Sequence, residues 1–116
     1  MTTLYGIPNC GTVKKARLWL DEHQQAYAFG NFKTDPPTAE QLQHWLAAVG
    51  AERLINRKGT TWRGLSEADK AAADTQAGAI ALMQTQPSMI KRPVLVHQDR
   101  IEVGFSPEQY QAVFSR

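Results

Sequence analysis

The stretch from Thr2 to Thr12 constrains the fold more than any other part of the chain. Thr2 to Ile7 is short, β-prone and partly alternating, and Pro8-Asn9 breaks it. From Gly11 to His23 the apolar residues Val13, Ala16, Trp19 and Leu20 recur at helical spacing. Lys14, Arg17, Asp21 and Glu22 fall mostly on the rest of the wheel. A strand therefore runs directly into a helix, and the chain's one cysteine, Cys10, stands at the junction.

The remaining elements follow from the same periodicities. Tyr27 to Phe29 suits a second strand, and Lys33-Thr-Asp-Pro-Pro37 leaves the sheet because tandem prolines remove two donors. Thr38 with Gln41 forms a capping-box pair, and Leu42, Trp45, Leu46 and Val49 keep helical register until Gly50. Ala51 to Asn56 predicts at most a short turn, and Arg57 to Gly64 reads as an exposed loop. Ser66 with Asp69 starts a short helix, and another covers about Thr75 to Thr85, closed by Pro87. Val94 to His97 and Ile101 to Val103 flank Gln98-Asp-Arg100, a three-residue hairpin connection. Ser106-Pro107-Glu108 then opens a helix bearing Tyr110, Val113 and Phe114 on one side. The order is βαβ, a helical insert at about 38–86, then ββα. That order fits an α/β domain over residues 1–116 with a four-stranded mixed sheet, parallel in its first half and ending in a hairpin.

Composition narrows the function classes. With 116 residues and 42% hydrophobic content, the chain is long enough for one core and too short for two domains. Thirteen Lys and Arg are scattered among eleven Asp and Glu, so no nucleic-acid partner is implied. No apolar run approaches the roughly 20 residues that span a bilayer. The start MTTLYGIPNC lacks a signal peptide's basic and apolar regions, and one cysteine cannot form an internal disulfide. A cytoplasmic monomer without a membrane partner is the expectation. His23, His44 and His97 have no metal-like grouping, and no bound metal or cofactor is expected.

At the start of a helix, a sulfur meets unpaired backbone N–H groups and the positive end of the helix dipole, and a thiolate is stabilised there. Lys14 and Lys15 add cations in the first turns, where the dipole alone disfavours them and a nearby anion offsets that cost. This is the setting in which cysteine becomes a nucleophile or a redox centre. Thr12 either caps the helix or bonds the sulfur's ligand.

Tyr5-Gly-Ile-Pro-Asn-Cys-Gly-Thr12 followed by a basic helix resembles the Asn/Pro-x-Cys-Gly-Thr signature of the arsenate-reductase/Spx family, and Arg92-Pro93 before the late hairpin completes the likeness. Asn56 to Leu65 is similar to the Spx-side pattern Asn-Thr-Arg-Gly-Thr-Thr-Trp/Tyr-Arg-x-Leu. The resemblance implies a thioredoxin-like fold with an inserted helical segment. It also implies that Arg92 helps hold an oxyanion, and that Pro93 is commonly cis beside the active sulfur.

The departures from that pattern matter for function. Arsenate reductases carry an arginine triad. Here Arg92 fits one member, the second falls at Asn56 or Arg57, and the third falls near Gly104-Phe105. A Cys-x-x-Cys switch is absent, because Val13 stands three residues after Cys10. A phosphatase-type Cys-x5-Arg loop is excluded by spacing, since Ala16 holds the required position and Arg17 comes one later. A single thiol that cannot resolve its own oxidised form needs an external one, and glutathione or a glutaredoxin supplies it. Lys14, Arg57, Lys58 and Arg92 suit glutathione's carboxylates. The reading is a thiol oxidoreductase with Cys10 as its catalytic residue and a small molecule or disulfide as substrate. Its substrate-binding set is Thr12, Lys14, Arg57, Lys58, Arg92 and Pro93. Arsenate reduction and a non-enzymatic, Spx-like regulator that binds RNA polymerase are the alternatives.

Overall fold

A computed structural model describes residues 1–115. In chain order the elements are β1 (Thr2–Gly6), α1 (Gly11–Glu22), β2 (Ala28–Asn31), α2 (Ala39–Val49), α3 (Ala51–Leu54), α4 (Thr60–Arg63), α5 (Glu67–Ala72), α6 (Gln76–Thr85), β3 (Val94–His97), β4 (Arg100–Val103) and α7 (Pro107–Phe114). A single 3₁₀ turn, Pro87–Met89, precedes β3. The chain divides into two compact units, Met1–Asp35 with Arg92–Arg116, and Pro36–Lys91.

The first unit holds the sheet, in the order β2-β1-β3-β4. β1 runs parallel to β2 and antiparallel to β3, and β3 and β4 form the late hairpin. Leu4 lies opposite Leu95 across β1 and β3. Both join Val13, Ala16, Trp19 and Leu20 of α1 and Tyr110 and Val113 of α7 in one buried cluster. The 3.6-residue pattern read in α1 is therefore a packing pattern. Fully burying a side chain of this size contributes roughly 1.5–3 kcal/mol. At the edge, Arg17 ties α1 to the β2 segment: its Nε donates to Tyr27 Oη at 3.0 Å, and its guanidinium lies 4.2 Å from the Phe29 ring centre.

The hairpin departs from expectation. His97 pairs with Arg100, so Gln98-Asp99 is a two-residue connection and Arg100 belongs to β4. Gln98 adopts φ +55°, the positive-φ backbone that tight hairpin turns demand of glycine or an amide residue.

In the second unit, α2 carries the expected capping box. Gln41 N donates to Thr38 Oγ1 at 3.1 Å, and Thr38 N donates to Gln41 Oε1 at 2.9 Å. Leu42 and Trp45 are the residues it buries, and Gly50 ends it. Ser66 and Thr75 cap α5 and α6 by accepting from Asp69 N and Gly78 N. The stretch read as an exposed loop contains a helical turn, α4. Gly59 stands as its extended N-cap, and the Arg57 guanidinium lies 5.2 Å from the Trp62 ring centre. Thr61 Oγ1 and Ser88 Oγ are hydrogen-bonded at 2.7 Å. Two glycines and the lack of either period concealed that turn, because a four-residue helix leaves almost no periodic trace.

Candidate active site at Cys10

Cys10 is the N-cap residue of α1, in extended conformation at φ −93° and ψ 128°. Its carbonyl accepts from Lys14 N at 2.9 Å, the first full helical bond, and its own N–H donates to Ile7 O at 3.4 Å. The N–H groups of Gly11, Thr12 and Val13 precede that bond and have no acceptor within the helix. No side chain caps the helix, so Thr12 does not serve as a cap; it is exposed in the first turn. The sulfur-bearing side chain is half-buried and rests on the cluster of Leu4, Leu95, Trp19 and Tyr110.

The sheet register brings the second part of the site to the same end. The last β1–β3 pair is Tyr5 with Val94, so Gly6 and Pro93 stand together where β1 ends and β3 begins. The Arg92–Pro93 peptide is cis. Pro93 is buried and Arg92 half-buried. Beyond β4, Gly104 at φ +77° donates its N–H to the Pro93 carbonyl at 2.9 Å. A crevice outside the carboxyl ends of parallel strands, where the chain turns to opposite neighbours, is where open α/β sheets take ligands. β1 and β2 both end there, with Cys10 at the start of the helix that follows β1.

Lys14 is exposed on the first turn of α1. Lys70 pairs with Glu67 and Arg100 with Glu102, and neither ion pair involves Lys14 or Arg92. Arg57 and Lys58 are exposed in the second unit, between α3 and α4. The sequence marks Gly104-Phe105 as the place where a third arginine falls in arsenate reductases and Lys33 as leaving the sheet, and gives neither residue a role at the site. Lys33 follows the Gly6–Asn31 pair that ends β2, and Phe105 follows Gly104. The sheet register assigns both to this end of the strands. Among the described residues no group of three or more His, Cys, Asp and Glu stands where it could hold a metal ion. No helix among them is long and apolar enough to cross a membrane.

A four-stranded mixed sheet with a cysteine at the start of its first helix and a cis-proline at the start of its third strand defines a thioredoxin-like α/β protein. Residues 5–113 match the ArsC family, and the chain belongs to it. Among solved structures, the YFFB (PA3664) protein is 50% identical, with a TM-score of 0.92, covering 99% of this chain and 100% of its own. An arsenate reductase (ArsC) related protein from Brucella melitensis is 47% identical with a TM-score of 0.75, covering 99% and 95%. The global transcriptional regulator Spx of Streptococcus pneumoniae is 26% identical over all of this chain and 87% of its own length.

Proposed function

We propose that this chain is a thiol oxidoreductase coupled to glutathione or a glutaredoxin, with the Cys10 thiolate as nucleophile. Membership of the ArsC family supports thiol redox chemistry at the level of the family. The observation that carries the finer reading is the placement of a half-buried Cys10 at an uncapped helix start, at the sheet end that also holds Arg92-Pro93. Cys10 Sγ attacks the glutathionyl sulfur of a mixed disulfide. The S–S bond breaks, and the other thiol leaves as a thiolate and takes a proton from water. A second glutathione thiolate then attacks the glutathionyl sulfur on Cys10, releasing glutathione disulfide and regenerating the Cys10 thiolate. Lys14 and Arg92 meet the tripeptide's carboxylates; Thr12 is exposed on the first turn of the helix that Cys10 begins. The test is turnover of a glutathione mixed disulfide, coupled to glutathione reductase. Activity that is abolished in Cys10→Ser supports the reading, and a wild type no faster than free glutathione overturns it.

The similarity to Spx supports a second reading, a regulator that binds RNA polymerase through its surface. The position that would complete a Cys-x-x-Cys switch is Val13, wholly buried in the core, which disfavours a thiol switch of that kind. Recovery of a polymerase subunit with the purified chain, combined with no disulfide turnover, would select this alternative.

A further inference from the structure

Phe105 is fixed from both sides. Gly104 before it is bonded to the Pro93 carbonyl, and Ser106 after it accepts from Gln109 N at 3.1 Å as the cap of α7. Its ring meets Tyr110 edge-on at 4.8 Å, and Tyr110 meets Trp19 edge-on at 5.7 Å. The ring is half-buried, and it rests on the same buried cluster as Cys10. The register and the Gly104–Pro93 bond thus bring Phe105 to the strand end where Arg92-Pro93 stands and where Cys10 opens the helix after β1, with its ring packed on Tyr110. A benzyl ring has no hydrogen-bond donor to offer an oxyanion, and it attracts hydrocarbon and polarisable sulfur.

We infer that Phe105 is a specificity-determining residue that receives the hydrocarbon part of the departing thiol, so that the substrate class is mixed disulfides between glutathione and apolar thiols. This rests on the glutathione-coupled reading above. While Cys10 takes the glutathionyl sulfur, the second sulfur leaves along the Phe105 ring, and the apolar group it carries is sheltered from water there. An anionic or strongly hydrated leaving group gains nothing from that wall.

The test compares two substrates, the mixed disulfides of glutathione with benzyl mercaptan and with 2-mercaptoethanol. One apolar contact of this kind discriminates by about tenfold in kcat/KM, so the wild type favours the benzyl substrate by about that factor. Phe105→Ala should lose that preference through KM on the benzyl substrate alone, while Phe105→Leu, which keeps an apolar side chain against Tyr110, should retain most of it. Equal losses on both substrates in Phe105→Ala, with Phe105→Leu unaltered, would show a structural role and overturn the inference. So would a wild type with no preference. If neither mixed disulfide turns over, the glutathione reading fails, and stoichiometric labelling of Cys10 decides the inference separately. The probes are the symmetric disulfides dibenzyl disulfide and bis(2-hydroxyethyl) disulfide, whose departing thiol carries the benzyl or hydroxyethyl group, with rates normalised to those of the urea-unfolded chain. A benzyl preference that disappears in Phe105→Ala upholds the wall, and a ratio indifferent to the substitution refutes it.

Discussion

Gly6 and Val13 are packed so closely that a Cβ on Gly6 would lie 2.7 Å from Val13 Cγ2. Val13 is wholly buried, β-branched and on the first turn of α1, so it has no flexible end to yield. This contact seats the helix start on the end of β1, and with it Cys10. Gly6→Ala should therefore destabilise the protein by about 1–3 kcal/mol, the usual cost of overpacking, as read by urea denaturation. It should also change the alkylation rate of Cys10 in the folded chain. An unchanged midpoint would mean that α1 shifts freely over the strand end.

Tyr110 is wholly buried, and among the described residues its hydroxyl has no hydrogen-bond partner. An unsatisfied buried donor costs its desolvation, so Tyr110→Phe should leave stability unchanged or raise it by about 1 kcal/mol. Burial, and then the negative charge of Glu102, push the tyrosine's ionisation above its ordinary range. The folded state thus keeps a proton that the unfolded state loses near pH 10. That contribution is complete below the unfolded value and is lost as pH rises through it towards the folded one. Stability measured from about pH 9 to 11 should fall more steeply in the wild type than in Tyr110→Phe. Parallel curves would contradict the burial argument.

Arsenate reduction coupled to glutathione and glutaredoxin should be weak or absent. Stabilising oxyanion charge needs preorganised donors, and among the described residues of the first unit Arg92 is the arginine that the register places at the Cys10 end of the sheet. Arsenate-dependent turnover that requires Cys10 and rivals disulfide turnover would contradict this.

Much of the fold was legible because the relevant signals are local or periodic. The α1 stripe, the Thr38–Gln41 box and the Ser106-Pro107 helix start are each encoded within a few residues, and each forms as read. The two-residue hairpin was not legible, since whether Arg100 ends a turn or begins a strand depends on its pairing with His97. The helical turn Thr60–Arg63 was missed because one turn carries no period. At the site, Cys10 and Arg92-Pro93 stood out by motif; the resemblance marked Gly104-Phe105 only as a place without the third arginine, and the Gly104–Pro93 bond and the packing of Phe105 on Tyr110 come from the fold. Such long-range relations have no trace in local sequence.

The central claim is that Cys10 is an accessible redox thiol that takes glutathione, and intact-mass analysis after exposure to oxidised glutathione tests it most directly. With one cysteine, oxidation can end in a mixed disulfide, a sulfenic acid or a disulfide between two chains. The account predicts one glutathione per chain, none in Cys10→Ser, and formation slowed roughly two- to fivefold in Lys14→Ala and in Arg92→Ala, as for a solvent-screened charge pair. The same substitutions at Arg57 and Lys58 measure what the second unit's basic loop adds. A covalent dimer as the chief product, or no adduct on the folded chain while the unfolded chain reacts readily, would contradict it.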